Sequence, residues 1–191
     1  NDVCQDRVDT FQLQPQINQV RENVELNIDT KIAADCNYNN GENLKFLEEE
    51  KLDGYLPTIS QAQKLDDKKQ IIEDNYEYDW DKDEIILDGI RLKFHALWKD
   101  RGNKKQRWYK SEDGKIVKRV TEFFRERLRM KKKLETEKGK HVYSLRKTIV
   151  EPVIGNIKYN LWFNEFLVRG LDGAKLELNI ASIAHNLKKI W

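Results

Sequence analysis

Tyr143, Arg146 three positions later, Glu151 and Lys158 have the residue types and spacing of a charged site near the C-terminal end of the chain. A fifth candidate, Asp35, follows Lys31-Ile32-Ala33-Ala34, an apolar run that reads as a short buried strand. Glu151 and Lys158 are about two helical turns apart and so share a similar face. A carboxylate among basic neighbours is either a surface ion pair or a prepared anion site. Local structure offers plainer uses. Thr148-Ile149-Val150-Glu151 fits a capping box worth about 1 kcal/mol, with Thr at the N-cap and Glu three residues later. Pro152 competes, because proline suits the first helical position and would put Glu151 itself at the cap. For Asp35 the plain use is a helix N-cap or turn acid.

The elements that must position these residues follow from periodicity and turn chemistry. Leu13, Ile17, Val20 and Val24 recur at spacings of four, three and four, which predicts a helix over 14–25 with Pro15 in its first turn. An Asn/Gly-rich turn, Asn37 to Gly41, follows Asp35, and Glu42 to Lys51 reads as a helix with Leu44 and Leu47 inward. Gly54 to Ile59 suits a second strand, at an edge or end because Pro57 cannot donate to a ladder. Strand, helix and strand in so few residues make an α/β unit with a parallel pair. Residues 61–84 are polar and acidic and read as a linker. Ile85 to Phe94, centred on Asp88-Gly89, predicts a hairpin, and Gln106–Lys110 with Lys115–Val120 predicts another. A very basic helix is expected over 121–138. Two helices close the chain, one lined by Val150, Ile154, Ile157 and Leu161, the other by Leu176, Ile180, Ile183, Leu187 and Ile190. His185 suits helix packing or capping better than metal ligation.

The 191 residues can bury one sizeable core, so one domain with an insertion is expected. The net charge of +2 hides an asymmetry. Residues 1–100 carry 12 Lys+Arg against 23 Asp+Glu, and residues 101–191 carry 23 against 10. Such a split suits a polyanion-binding half, or two halves that neutralise each other. Cys4 and Cys36 are the only cysteines, which excludes a disulfide framework or Cys-rich zinc site within the chain and points to an intracellular protein. No apolar run is long enough to span a bilayer and no signal peptide is present. Because residue 1 is Asn, the chain reads as part of a longer product or a trimmed one.

Taken together, Tyr143-x2-Arg146, Glu151 and Lys158 resemble the Tyr/Arg/Glu/Lys signature of bacterial insertion-sequence transposases of the DDE type. TIVEPVIGNIKYN is similar to the segment around their catalytic glutamate, with Ile154 where relatives usually carry phenylalanine. Ala34-Asp35-Cys36-Asn37-Tyr38 with Glu42-Asn43-Leu44 resembles the segment around the second catalytic aspartate, and Arg169-Gly170-Leu171 and Ala184 to Lys189 resemble the closing turn and helix. The resemblance is close over 31–59 and 141–190 and weak over 61–140.

It implies an α/β fold of the RNase H-like transposase type, partial and lacking the early strands, with residues 1–60 and 141–191 as core. Residues 61–140 would be an insertion holding the two hairpins and the basic helix. Family members often place cysteines in that insert, and this chain has none there. The implied activity is metal-dependent DNA strand cleavage and strand transfer at insertion-sequence ends. Two Mg²⁺ (or Mn²⁺) ions about 3.5–4 Å apart would activate a water or 3′-hydroxyl and steady the leaving oxygen, held by hard carboxylate oxygens. Asp35 and Glu151 carry over as catalytic acids and metal ligands. Arg146 and Lys158 would contact phosphates, Tyr143 would orient substrate or Glu151, and the basic helix would bring Arg125, Arg129 and Lys132 to DNA. Trp98, Trp108 and Tyr109 fit either packed strand positions or a stacking surface for unpaired bases. The implied partners are transposon-end and target DNA, with no membrane, as a homodimer on DNA in the bacterial cytoplasm, at the nucleoid.

Two positions depart from the family pattern. The first catalytic aspartate belongs on an early strand, and Asp2, Asp6 and Asp9 lie in a polar stretch without strand character. With two acids of three, this chain as written is expected to bind Mg²⁺ poorly and not to cut DNA. The alternative function is a catalytically dead remnant that binds DNA. The third reading is a basic RNA- or partner-binding module with structural acids. Asn37 also stands where the family has glycine, and as the next best tolerated residue at positive φ it would keep the turn.

Overall fold

The computed structural model describes residues 9–65, 76–99 and 105–190. Asp2, Cys4, Asp6 and part of the expected linker lie outside them. Helix α1 (Leu13–Arg21) leads to β1 (Lys31–Ala33), helix α2 (Gly41–Glu49) and β2 (Asp53–Tyr55). β1 and β2 pair in parallel, Lys31 with Asp53 through Ala33 with Tyr55. The predicted α/β unit is therefore present. Its core joins Leu13, Ile17, Leu44, Leu47, Leu52 and Leu56. α1 is shorter than expected, since Val20 and Val24 are about half exposed and only Leu13 and Ile17 are buried.

The Asn-rich turn is tied down by its own side chains. Asn40 caps α2 by accepting from the Asn43 amide at 2.8 Å, and buried Asn43 donates to the carbonyls of Thr10 and Tyr38. Gly41 at the start of α2 lies against the Phe123 ring, so close that a Cβ would overlap it. Substitution there would part α2 from the element that follows the sheet.

The second strand is shorter than Gly54 to Ile59, because helix α3 (Ile59–Leu65) begins within that run, and α3 also corrects the expectation of an unstructured linker. Gln61 sits at the start of α3, accepting from the Thr58 amide and donating to the Lys131 carbonyl at 3.0 Å. A further strand, β3 (Glu77–Asp79), precedes β4 (Glu84–Leu87), β5 (Ile90–Lys99), β6 (Lys105–Lys110) and β7 (Val117–Thr121). The two expected hairpins are thus parts of one five-stranded antiparallel sheet in the order β3-β4-β5-β6-β7. Asp88 and Gly89 both have positive φ, 50° and 80°, which is what a two-residue turn matched to strand twist requires. A bulge between Phe94 and Ala96 redirects β5.

Helix α4 (Phe124–Glu135) connects the two parts. Phe124 packs with Tyr78, Ile85, Leu92 and Tyr109 under the sheet. Two to three turns later Leu134 packs with Tyr55 and Val142, and Met130 touches both this cluster and that of α1 and α2. Lys133 fastens the same end, its Nζ donating to Asp53 at 2.5 Å and to the Gly54 carbonyl at 2.7 Å. The expected basic helix over 121–138 ends at Thr136, whose extended backbone and side chain cap α5 (Glu137–Ser144).

The single helix expected to be lined by Val150, Ile154, Ile157 and Leu161 is broken into three pieces: α6 (Arg146–Ile149), α7 (Glu151–Gly155) and one π-helical turn over Asn156–Asn160. Pro152 has no amide hydrogen to offer the Thr148 carbonyl, which interrupts the ladder between α6 and α7. Val150 and Ile154 are about half exposed.

Helix α8 (Leu171–Ile190) also departs from its expected orientation. Leu176, Ile180, Ile183, Leu187 and Ile190 are 57–83% exposed, and α8 instead buries Ala174, Ala181 and His185. Small side chains let it approach the π-helical turn closely, where Asn156 Nδ2 lies 2.7 Å from His185 Nδ1. His185 is thus a packing residue, as its apolar neighbours implied.

Candidate active site

β1 delivers Asp35 at its C-terminal end, where the backbone turns into a 3₁₀ turn over Cys36–Tyr38. Asp35 caps that turn through its carboxylate, accepting from the Cys36 amide at 2.5 Å. The side chain is exposed, so its second oxygen faces solvent. The plain role and the chemical one are compatible, because an N-cap uses one lone pair of four. Asn37 is not among the residues with positive φ, so the turn does not need the glycine whose absence sequence reasoning had to excuse.

α5 carries Tyr143 toward this corner. Its hydroxyl accepts from Arg146 Nη1 at 2.5 Å, and the guanidinium lies 5.1 Å from the ring centroid. Burial raises the tyrosine pKa; Arg146 works against the rise and Asp35 and Cys36 add to it. The Cys36 thiol is likewise raised, by burial first and by Asp35 second.

Glu151 is the first residue of α7 and is exposed, with no described hydrogen bond or ion pair. Neither capping arrangement holds. Thr148 lies inside α6 and its hydroxyl donates back to the Leu145 carbonyl at 3.1 Å, while Pro152 takes the second helical position behind Glu151 rather than the first. The carboxylate is therefore free of both structural jobs. Lys158 is exposed on the π-helical turn.

Tyr143 and Arg146 are thus brought together, and no described hydrogen bond or ion pair links Asp35 to either of them or to Glu151. The principal packing of α7 is on α6 and the π-helical turn. As hard oxygen donors open to solvent, the two acids suit Mg²⁺ in type. In number they fall short: among the described residues no three His, Cys, Asp or Glu side chains stand close enough to hold a metal ion.

Arg125, Arg129 and Lys132 gather on one ring that sequence reasoning did not single out. Their charged groups lie 5.9, 5.0 and 5.9 Å from the centroid of Trp80, in the turn between β3 and β4. Spacings of four and three on α4 were the available signal for a shared face. Arg129 also pairs with Glu48 at 2.7 Å. Beside this stripe, α4 and β7 enclose a cleft of about 330 Å³ whose walls include Lys118, Arg119, Arg127 and Lys131.

A family model described as transposase DDE domain matches residues 101–191. No curated protein and no solved structure matches the chain. The matched stretch holds Tyr143, Arg146, Glu151 and Lys158, whereas Asp35 lies outside it. Over these residues the resemblance to the C-terminal portion of a DDE-type transposase holds.

Proposed function

From a chain whose C-terminal portion is that of a DDE-type transposase, we propose that the protein serves metal-dependent DNA strand cleavage and strand transfer at insertion-sequence ends, with Asp35 and Glu151 as two of its acids. The observation that carries this reading is the state of Glu151. It stands exposed at a helix start inside the matched stretch, released from capping and pairing. Mg²⁺ or Mn²⁺, when held by Asp35 and Glu151, would supply activation of the attacking oxygen. Arg146, oriented by its bond to Tyr143, and Lys158 offer positive charge to phosphates, and Arg125, Arg129 and Lys132 extend that charge along α4. The RNase H-like division into a core of 1–60 and 141–191 with a 61–140 insertion belongs to the same proposal, with α4 as the strut shared by both parts.

With two acids where the family uses three, this chain by itself is expected to hold Mg²⁺ weakly and to bind DNA without cutting it. The second reading is a DNA-binding module without catalysis. Purified chain incubated with plasmid carrying element ends and Mg²⁺ tests the point. Shifted but intact DNA is expected, and efficient Mg²⁺-dependent nicking would overturn the two-acid account.

The proposal includes a homodimer on DNA, in the cytoplasm at the nucleoid. Its support is the exposed row on α8, whose four-three spacing is the seam pattern by which helices pair. No described helix is long and apolar enough to cross a membrane.

A further inference from the structure

α4 carries a second basic stripe that the proposed chemistry does not use. Phe124, Arg127, Leu128 and Lys131 recur at spacings of three, one and three, which sets them on one face of the helix, apart from the Arg125, Arg129 and Lys132 stripe beside Trp80. That face looks onto β7. Lys118 pairs with Tyr109, which is fully buried in the cluster with Phe124, so Lys118 stands on the side of the sheet turned toward α4. Arg119 pairs with Trp108 on the opposite side, with its guanidinium 4.3 Å from that ring, so its charge belongs to the outer face. Between α4 and β7 lies the cleft of about 330 Å³ lined by Thr58, Lys118, Phe124, Arg127, Leu128 and Lys131.

Lys118, Arg127 and Lys131 bring positive charge from two elements into one concavity, and among the described residues lining it none is acidic. The Nε of Arg127 is buried and has no hydrogen-bond partner among the described residues. A buried donor left unpaired is costly, and an oxygen acceptor held in the cleft would relieve it. Three cationic donors suit an anion with more acceptor oxygens than the two of a carboxylate, which is the chemistry of phosphate. The cleft is also placed beside the acids. Thr58 on its wall follows β2 at the carboxyl end of the parallel pair, the end at which β1 delivers Asp35. Helix α3, which starts just after Thr58, packs against the 3₁₀ turn that Asp35 caps, and Gln61 ties the start of α3 to the Lys131 carbonyl.

We propose that the cleft between β7 and α4 is a phosphate site, in which Lys118, Arg127 and Lys131 hold one phosphate group. Two sources supply that chemistry: the backbone of a DNA strand continuing toward Asp35, and free phosphate. Held by the backbone, the site fixes where the strand lies relative to the acid without reading its sequence. The DNA source rests on the DNA-processing reading, whereas the phosphate site itself stands on the cleft alone.

Two measurements on the whole chain test it, for wild type, Lys118→Gln, Lys131→Gln, their double variant, and Lys115→Gln as an exposed lysine outside the cleft. In the first, millimolar pyrophosphate at constant ionic strength should raise the melting temperature of wild type and of Lys115→Gln but not of the double variant. In the second, anisotropy of a labelled duplex across a salt series should give a log–log slope smaller by about 0.9 in each single cleft variant and by about twice that in the double, with Lys115→Gln unchanged. Arg127→Gln should follow the lysine variants, and Arg127→Lys, which keeps the charge, should hold the parental slope. Smaller slopes assign the site to the DNA backbone, and pyrophosphate protection with unchanged slopes assigns it to free phosphate. Neither effect, or a slope loss in Lys115→Gln equal to that of the cleft variants, would overturn the proposal. Pyrophosphate protection in a wild-type chain that binds no duplex would sink the functional reading and leave the phosphate site standing.

Discussion

Asp83 holds three partners at once: its carboxylate accepts from the Tyr78 and Tyr109 hydroxyls at 2.6 Å each and pairs with Arg107. Burial alone would raise its pKa, but the two hydroxyl bonds and the Arg107 charge outweigh it and hold the carboxyl below the ordinary value. Tyr78 is pushed the other way, to about 12, by burial and by Asp83. The sign for stability follows. A carboxylate whose pKa is lower folded than unfolded stabilises the fold above the unfolded value near 3.9, and that contribution is lost as pH falls through the folded value. Asp53, lowered by Lys133 against the effect of its burial, behaves the same way. Melting temperature should therefore be steady from pH 7 to about 5 and fall below it. Asp83 has φ of 53°, a conformation asparagine tolerates, so Asp83→Asn isolates the charge. It should cost about 2 kcal/mol at pH 7, roughly 4–8 °C in a chain of this size, and flatten the acid limb of thermal melts taken across pH. Neither Asp83 nor Trp80 was legible in the sequence, because a polar acidic run gives no sign of which acid the fold will cover. Asp35 and Glu151 were singled out in the sequence as candidate acids. The structure adds that Asp35 also caps a turn and that Glu151 caps nothing.

At the scale of elements, pattern and turn chemistry succeeded where one local rule acts. Asp88-Gly89 produced its hairpin, and the strand–helix–strand unit produced its parallel pair. They failed where packing decides the orientation. Strict four-three spacing on α8 marked an apolar face correctly but not its direction, since α8 buries Ala174, Ala181 and His185 instead. This orientation is testable. Ile183→Ala and Leu187→Ala should each change stability in dilute protein by no more than about 0.5 kcal/mol, where buried positions would lose about 2–5 kcal/mol. If α8 pairs two copies, the double variant should also elute as a monomer in size-exclusion chromatography with light scattering. The junction of α4 and α5 makes the opposite prediction. A Cβ on Gly139 would meet the Lys133 carbonyl oxygen at 2.1 Å, a backbone atom that cannot swing aside. Gly139→Ala should destabilise by about 1–3 kcal/mol in a urea titration.

Across the whole molecule, α4 is the element on which the account turns. It ties the sheet, the α/β unit and α5 into connected packing, and its cations face Trp80 and the cleft beside β7. The basic half of the sequence thus supplies the cations of this helix. Duplex binding should weaken linearly in log–log terms with salt, with a slope near −0.9 for each phosphate neutralised, and Arg125→Gln with Lys132→Gln should reduce that slope by about 2 if both contact phosphate. The most direct test of the central claim is a transposition assay of an element encoding Glu151→Gln, with Asp35→Asn in parallel and DNA binding measured for both. The account predicts that transposition falls to background while DNA binding persists. Transposition at the parental frequency in either variant would contradict the assignment of that acid to the active site.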